Sequence, residues 1–523
     1  MIDYIIQNIK KNNKRLNIFF YLSIIFIIII GIFIRVKFYL ADIPMWLDEL
    51  MLASNFTDKS FSDIFSPSNA FQKFPPFFFL SVIILKKIFG AGELVLRFIP
   101  FILNIASLFL FFLLLKKTIT NKTGIFVGMF MFTFCVPFIY FCAEFKPYGC
   151  DVFFSILLLL IYKYLDFSKL NIKQIIIYNL GAIFFVYFSF PAIFIISAVI
   201  LANISKNNKF NLKSLWILIG VFLAGIYLFL YDLNTYVFLK EYWNNVEGGF
   251  NLFPSLKFIW TFIHTGCQYY IYNFNSLFIP VIVGFILTGL VVMHKQDKTK
   301  AKIFILIFVL ALIASLLNAY PLKPKLALYM LPVFILLISK VFDMNIYLKL
   351  TSQKFIFNIF TCLLLLMVTG INIPYINMSE NNLVYYNKSS NGRNKSVEDR
   401  TKVKEYSLEI IKNFQAKDVI FASEEFVYSL KYYNCRYKFN KNLKIIPFAD
   451  TPASNVSNED MTELVENTIN KNEYSGYWFI GRNDELYFKS LNFEETENIV
   501  KQHLFKYKIY KQNDLFLIYA KAD

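Results

Sequence analysis

The sequence predicts a polytopic α-helical membrane protein with about 11 transmembrane helices and a small extracytoplasmic α/β domain at its C-terminal end. Of the 523 residues, 57% are hydrophobic and only 17% are charged, which excludes soluble, fibrous and disordered classes. The excess of basic residues behind the net charge of +17 lies in residues 1–373, since residues 374–523 carry equal numbers of basic and acidic side chains. Basic residues beside apolar segments are typical of cytosolic span ends and do not indicate a nucleic-acid partner.

The first span is predicted at residues 16–38. Lys10, Lys11, Lys14 and Arg15 precede it, which places the N-terminus in the cytosol under the positive-inside rule. Because no small-residue cleavage site follows the span, we expect it to remain as an anchor and not to be removed as a signal peptide.

A long external loop is predicted after the first span, over residues 39–97. Its apolar segment at residues 74–85 has only 12 residues, which is too short to cross a bilayer comfortably. We therefore expect this segment to form a helix at the outer membrane surface, with Phe77, Phe78 and Phe79 as a wall for a lipid chain.

Ten further spans bring the predicted total to 11. They lie at about residues 98–115, 124–142, 150–164, 174–188, 191–205, 214–232, 276–293, 303–319, 326–341 and 355–373. This register places most basic turns in the cytosol and the C-terminus outside. The transmembrane domain is thus predicted over residues 1–373, in the inner membrane of the cell.

The remaining chain, residues 374–523, is polar and shows no further spanning segment. Predicted strands at residues 418–422, 444–448 and 477–480 alternate with helical patterns near residues 401–414, 425–433, 460–470 and 493–503. Two final strands flank Gln512 and Asn513 as a hairpin turn. This alternation predicts a small α/β domain outside the membrane.

Two adjacent carboxylates, Asp48 and Glu49, lie in the apolar stretch Met-Trp-Leu-Asp-Glu-Leu of the external loop. Beside a bilayer such groups are costly to desolvate unless they are paired, bound to a metal or used in chemistry. They are therefore candidate catalytic residues. The alternative is a solvated pair of loop residues.

The outer loop between the third and fourth spans supplies a second group of polar side chains. Glu144, Lys146, Tyr148 and Asp151 cluster there, on the same side of the membrane as Asp48 in the predicted register. They are candidate substrate-binding residues. A structural, salt-bridged turn is the alternative.

A third group consists of cations at the outer surface. Lys323 and Lys325 alternate with prolines in the turn before the tenth span, although external turns are usually poor in lysine. Cations held in this way are suited to a lipid headgroup or phosphate, and Arg97 at the start of the second span has the same candidate role. The alternative for all three is ordinary snorkelling at the membrane surface.

These segments, in chain order, resemble the GT-C glycosyltransferases. They look closest to bacterial family-39-like members related to protein O-mannosyltransferases and the lipid A aminoarabinose transferase. The resemblance is carried by WLDEL, KFPPFFFLSVIILKKIFGAGELVLRFIPFI, EFKPYGCD and YPLKPKLALYMLP. It covers the membrane part in the family's order, whereas the C-terminal domain matches only in kind.

The resemblance implies an inverting enzyme that takes a hexose or pentose from a polyprenyl-phosphate donor. The implied acceptor lies outside the cytoplasm and is a glycolipid, an envelope polysaccharide or a protein. In the family the acidic pair of the first loop holds the catalytic Asp, so Asp48 is the implied general base and Glu49 its partner or a metal ligand, since several relatives depend on a divalent metal. Where the family usually has Arg before the tenth helix, this chain has Lys325, which keeps the charge but loses two-pronged phosphate binding.

Two other functions stay open from the sequence: a flippase or transporter of lipid-linked saccharide, and a polysaccharide polymerase. A flippase is expected to carry polar groups within its spans along a translocation path. Here the ionisable residues gather at one surface, which favours the enzyme.

Overall fold

The structure is a computed structural model of the chain. It describes residues 2–58, 72–162, 165, 170–203, 213–230, 233–241, 279–322, 325–347, 397–439, 441–447, 458–471, 473–482, 493–504, 506–512 and 515–521. Within these ranges the protein is mostly helical, and its strands form a five-stranded sheet.

The helices of the membrane part follow the predicted spans closely. In chain order they are α1 (Ile2–Leu40), α2 (Leu47–Asp58), α3 (Pro76–Phe89), α4 (Glu93–Thr118), α5 (Lys122–Thr133), α6 (Val136–Tyr140), α7 (Tyr148–Ile161), α8 (Ile172–Phe188), α9 (Ala192–Asn203), α10 (Lys213–Leu230), α11 (Leu233–Glu241), α12 (Ile279–Gln296), α13 (Lys298–Leu316) and α14 (Leu331–Lys340). The 3-10 helices Leu328–Met330 and Val341–Tyr347 flank α14. The first ten predicted spans each overlap these helices, and the eleventh lies outside the described residues.

Three helices of the described chain are long and apolar enough to cross a bilayer by themselves. They are Asn17–Leu40 within α1, Glu93–Thr118 and Lys298–Leu316. Shorter apolar helices occur in α5, α7, α8, α9, α10 and α12. The chain is therefore a membrane protein, and the total of 11 spans stays a prediction.

The third predicted span is two helices and not one. Helix α5 ends at Thr133, and α6 begins at Val136 with Pro137 in its first turn. Proline has no N–H to donate and disfavours helical backbone in the residue before it, so the helix is interrupted here. Helix α6 then leads into the outer loop that carries Glu144.

Helix α3 forms where the short apolar segment of the long loop predicts it, with Pro76 at its start. The predicted lipid-facing wall is wrong for two of its three rings, because Phe78 and Phe79 are completely buried. Phe77 is half-buried, and its ring packs against three aromatic rings of α8. Helix α3 is therefore part of the protein core as well as of its surface.

The C-terminal region, residues 397–521, combines helices with a mixed sheet. Its elements are α15 (Val397–Asn413), β1 (Asp418–Ala422), α16 (Glu424–Arg436), β2 (Ile445–Pro447), α17 (Asn458–Asn470), β3 (Gly476–Arg482), α18 (Phe493–His503), β4 (Lys506–Gln512) and β5 (Leu515–Lys521). The strand order is β2-β1-β3-β5-β4; β1 pairs in parallel with β2 and β3, and β5 is antiparallel to β3 and β4. The strands and helices lie where the sequence predicts them, while the predicted boundary at residue 374 lies outside the described residues.

One buried apolar cluster joins the long external loop to the C-terminal region. Leu50 of α2, Phe78 of α3 and the loop residue Phe145 share this cluster with Phe426 and Leu430 of α16, and α2 and α16 pack directly on each other. Burial of apolar surface stabilises by about 25 cal/mol per Å². The C-terminal region therefore holds α2 in place.

Candidate functional site

Helix α2 places the two loop carboxylates in different surroundings. The Trp46 carbonyl accepts from the backbone N–H groups of Glu49 and Leu50 and so starts the helix. Successive residues of an α-helix point about 100° apart. The Asp48 side chain is accordingly 25% exposed, whereas that of Glu49 is 1% exposed.

The Glu49 carboxylate is held by Arg97 in a buried, two-pronged ion pair. Arg97 Nε and Nη2 donate to the two Glu49 oxygens at 2.8 Å each. The Phe145 N–H donates to Glu49 Oε1 at 2.6 Å, and Arg97 Nη1 donates to the Ile43 carbonyl at 2.6 Å. The phosphate contact of Arg97 and the metal contact of Glu49 stay predictions, and the geometry does not favour them, because both groups are buried and use their polar atoms within the protein. The pair fixes α2 on α4.

Asp48 contacts the turn before α14 through an ion pair with Lys325. Lys325 Nζ lies 3.2 Å from Asp48 Oδ2 and 5.8 Å from the centroid of the Trp46 ring. Both charged side chains are about one quarter exposed, and an ion pair this open adds only about 0–1 kcal/mol to stability. The pair is therefore partly accessible to solvent. Lys323 lies outside the described residues.

Glu144 is buried near these groups with one oxygen unpartnered. Trp46 Nε1 donates to Glu144 Oε1 at 2.9 Å, while Oε2 has no hydrogen-bond partner within the described part of the chain. Burial, reinforced by the negative charge of Glu49, raises the pKa of Glu144 from 4.5 to about 8. This shift favours the protonated form of Glu144, whose carboxyl group can donate a hydrogen bond.

A cavity of about 80 Å³ lies beside the second outer loop. Its polar lining includes three predicted substrate-binding residues, Lys146, Tyr148 and Asp151, together with Gln72 and Lys73, which the sequence analysis did not single out. About 10–15 Å³ of such space is enough for one water molecule, so several polar groups have room to enter. Lys146 Nζ donates to Gln72 Oε1 at 2.8 Å, and burial lowers the pKa of Lys146.

Asp151 gives this cavity a fixed carboxylate. It lies in the first turn of α7, is 5% exposed, and accepts from the Ser189 hydroxyl at 2.6 Å. Tyr148, Phe190 and Tyr320 add aromatic rings to the lining. Apolar rings with a few fixed polar groups are typical of small-molecule sites.

A second cavity, of about 20 Å³, is lined by Glu49, Arg97 and Glu144. It is also lined by Arg400 of α15, so the C-terminal region contributes a side chain to the site. Arg400 Cζ lies 5.9 Å from the centroid of the Trp46 ring. The sequence analysis missed Arg400 because the segment Val-Glu-Asp-Arg-Thr-Lys-Val-Lys-Glu is typical of a solvated helix face.

A metal centre is not apparent in the part of the chain that the structure describes. No group of three or more His, Cys, Asp and Glu side chains there is arranged to hold a metal ion. Glu49, the predicted ligand, already accepts three hydrogen bonds. The described residues therefore do not fit a resident metal ion at Glu49.

No family model and no curated protein matches the sequence. Solved structures are similar in three dimensions. Archaeal oligosaccharyltransferase AglB from Archaeoglobus fulgidus, in complex with an inhibitory peptide and a dolichol-phosphate, has a TM-score of 0.48 and 13% identity, covering 94% of this chain and 74% of that chain. The Archaeoglobus fulgidus oligosaccharyltransferase in complex with Zn and sulfate has a TM-score of 0.49 and 12% identity, covering 94% and 72%.

ArnT from Cupriavidus metallidurans, bound to undecaprenyl phosphate, has a TM-score of 0.46 and 10% identity, covering 94% of this chain and 97% of that chain. Since the TM-scores are below 0.5, these similarities assign no role to any residue of this chain.

Proposed function

We propose that the protein is a membrane glycosyltransferase that moves a sugar from a polyprenyl-phosphate donor to an acceptor outside the cytoplasm. The observation that carries the proposal is the meeting of three distant segments. Asp48 of the first loop pairs with Lys325 of the turn before α14. Trp46 of the first loop donates to Glu144 of the second. These contacts thus bring a carboxylate base, a cation and a buried carboxylic acid close together.

Asp48 is the proposed general base. An acceptor hydroxyl or amine attacks the anomeric carbon of the donor, and its proton passes to the Asp48 carboxylate. The bond between the anomeric carbon and the phosphate oxygen breaks, and polyprenyl phosphate leaves with the electron pair. Attack on the face opposite the phosphate inverts the anomeric centre. A positioned base typically contributes about 10²–10⁴-fold to the rate.

Lys325 and Lys146 are the proposed cations for the departing phosphate. Lys325 is partly exposed beside Asp48, and Lys146 lines the larger cavity together with Lys73. Stabilisation of developing charge by fixed groups is usually the largest single contribution to catalysis. Lys323, two residues before Lys325, keeps the role predicted from the sequence.

The larger cavity is the proposed binding place of the sugar. Tyr148 and Asp151 line it, and the protonated carboxyl group of Glu144 is a hydrogen-bond donor near the base. The sugar is proposed to be a hexose or a pentose. A glycolipid, a polysaccharide or a protein is proposed as the acceptor.

The proposal includes an orientation. The 11 predicted spans place the N-terminus in the cytosol, and the site and the C-terminal region on the outer face of the inner membrane. Cysteines introduced at Lys298, the first residue of α13, and at Lys412 of α15 test this in cells, because both side chains are exposed. An impermeant thiol reagent should label K412C and spare K298C, and the reverse pattern would overturn the orientation.

The decisive experiment uses the purified chain in nanodiscs with labelled undecaprenyl-phosphate hexoses and pentoses. Release of undecaprenyl phosphate with sugar transfer is expected, and Asp48→Asn should slow it by about 100-fold or more while the protein stays folded. Asp42→Asn removes a carboxylate from the same loop and is the matched control. Unchanged turnover in Asp48→Asn would remove Asp48 from catalysis. Movement of the donor across the bilayer without formation of product would favour a flippase. Repeated extension of one product would favour a polymerase.

A further inference from the structure

We propose that Arg400 of α15 is a positioning residue for the catalytic loop, acting through the indole of Trp46. The inference rests on the proposed function and adds to it a residue from the C-terminal region. Its effect is to hold the Trp46 indole, and through the indole Glu144, in the geometry that the reaction needs.

Arg400 is buried where it contacts Trp46, and Trp46 itself is partly buried. Arg400 is only 7% exposed, and its Cζ lies 5.9 Å from the indole centroid. Its Nε is also buried and has no hydrogen-bond partner in the described part of the chain. A guanidinium at this distance from an indole face is attracted by the ring electrons, most strongly where water is excluded.

Trp46 connects this cation to the proposed chemistry in two ways. Its carbonyl accepts the first hydrogen bonds of α2, whose first turn carries Asp48. Its Nε1–H donates to Glu144. A rotation of the indole would break the bond to Glu144, so a fixed indole holds the buried acid beside the first turn of α2, which carries the proposed base.

The small size of the adjoining cavity favours an indirect role for Arg400 over a direct substrate contact. The cavity that it lines with Arg97 and Glu144 has about 20 Å³, which is room for about one water molecule and not for a phosphate or a sugar. Arg400 therefore acts through its protein neighbours.

Helix α15 is itself firmly placed against the membrane part. Lys404, one turn after Arg400, lies 3.2 Å from Glu93 Oε2, and the Tyr433 hydroxyl donates to Glu93 Oε1 at 3.0 Å. Glu93 is fully buried and lies one turn before Arg97 in α4. The C-terminal region thus contacts both the loop that bears Asp48 and the helix that bears Arg97.

Steady-state kinetics of the full-length protein in nanodiscs test the inference. Arg400→Met should lower kcat about tenfold, the size of a desolvated cation–aromatic contact, with the donor KM changed less than twofold. Arg400→Lys keeps a cation near the ring and should recover part of the loss. Lys412→Met removes an exposed charge from the same helix and should leave both constants unchanged. A raised KM with unchanged kcat would overturn the positioning role.

A double-mutant cycle separates positioning from general support of the fold. If Arg400 acts through Trp46, Arg400→Met should cost less than twofold in the Trp46→Leu background. Additive losses in the cycle would show that Arg400 acts elsewhere and would overturn the inference.

A readout without turnover distinguishes failure of this inference from failure of the proposed function. The difference in fluorescence between the protein and its Trp46→Phe variant reports the Trp46 indole. Arg400→Met should shift the emission of the protein, and the shift should vanish in the Trp46→Phe background. An emission spectrum insensitive to Arg400→Met would overturn the contact even in an active enzyme, and a clear shift in a chain without transferase activity would leave the contact standing while the proposed function fails.

Discussion

Lys325 Nζ lies 3.2 Å from Asp48 Oδ2, although 277 positions separate the two residues in the chain. The contact joins the turn before α14 to the start of α2. It brings a basic side chain next to a carboxylate in an apolar loop. Each residue gives the other a partner of opposite charge, and both side chains stay about one quarter exposed.

The first prediction concerns Lys325. Lys325→Met should lower kcat about 10²-fold, because a fixed charge beside the departing phosphate is removed, while Tm changes little because the pair is partly exposed. Lys325→Arg should retain most of the activity. Lys300→Met breaks the Lys300–Asp297 pair of the predicted cytosolic side and is the control in the same turnover assay. Equal losses in both methionine variants would contradict a specific role of Lys325.

The second prediction concerns the buried pair of Arg97 and Glu49. Arg97→Met leaves the Glu49 carboxylate buried without its cation, which should destabilise the protein by about 3–5 kcal/mol. Arg97→Lys keeps the charge but not the two-pronged geometry, so it should destabilise the protein less than Arg97→Met does. Thermal unfolding in detergent measures both changes. A loss of activity in Arg97→Met at full stability would instead favour the phosphate contact predicted from the sequence.

The third prediction concerns the pH dependence of stability through Glu144. The folded protein holds the Glu144 proton up to about pH 8, whereas the unfolded chain releases it near its ordinary pKa of 4.5. The folded state therefore binds more protons between these values, and stability falls as the pH rises through this window. Glu144→Gln lacks this loss, so its Tm should exceed that of the unmodified protein at pH 9 by more than at pH 5.

The control for this measurement is Glu494→Gln, since Glu494 is an exposed carboxylate of α18. Its difference in Tm from the unmodified protein should be the same at pH 5 and pH 9. A Glu144→Gln difference that stays constant or shrinks as the pH rises would show that the Glu144 proton is not held by the fold.

The fourth prediction concerns Asp151 in the larger cavity. Asp151→Asn keeps an oxygen that can accept from Ser189 but removes the charge, so the fold should persist while the donor kcat/KM falls about tenfold. Ser189→Ala, which frees the carboxylate without removing it, should give a smaller loss. Unchanged kinetics in Asp151→Asn would indicate that the Ser189 contact is only structural.

Much of the fold follows from the sequence because it depends on local patterns. Long apolar stretches predict helices, and the alternation after residue 397 predicts strands such as Asp418–Ala422. The break between α5 and α6 was missed, although Pro137 marks it in the sequence. The number of apolar residues alone predicts one span here, because it takes no account of the proline that separates the two helices.

The sequence predicts several residues of the candidate site but not how those residues pair. Asp48, Glu144 and Lys325 attract attention because charge is rare beside a membrane, but their pairing depends on tertiary packing that spacing does not reveal. For Arg97 the sequence predicts a phosphate contact. The pairing of Arg97 with Glu49, 48 positions earlier, cannot be read from the spacing of the two residues. The sequence does not indicate a role for Arg400, because it is one of many charged residues in a helix of charged residues.

The apolar cluster shared by α2, α3 and α16 has a consequence for how the protein matures. Because the chain is synthesised from its N-terminus, Leu50 and Phe78 are made long before Phe426 and Leu430. The loop that carries Leu50 therefore keeps unburied apolar side chains until α16 has been made and has reached the same side of the membrane. A chain cut short after α14 is expected to leave this apolar surface uncovered.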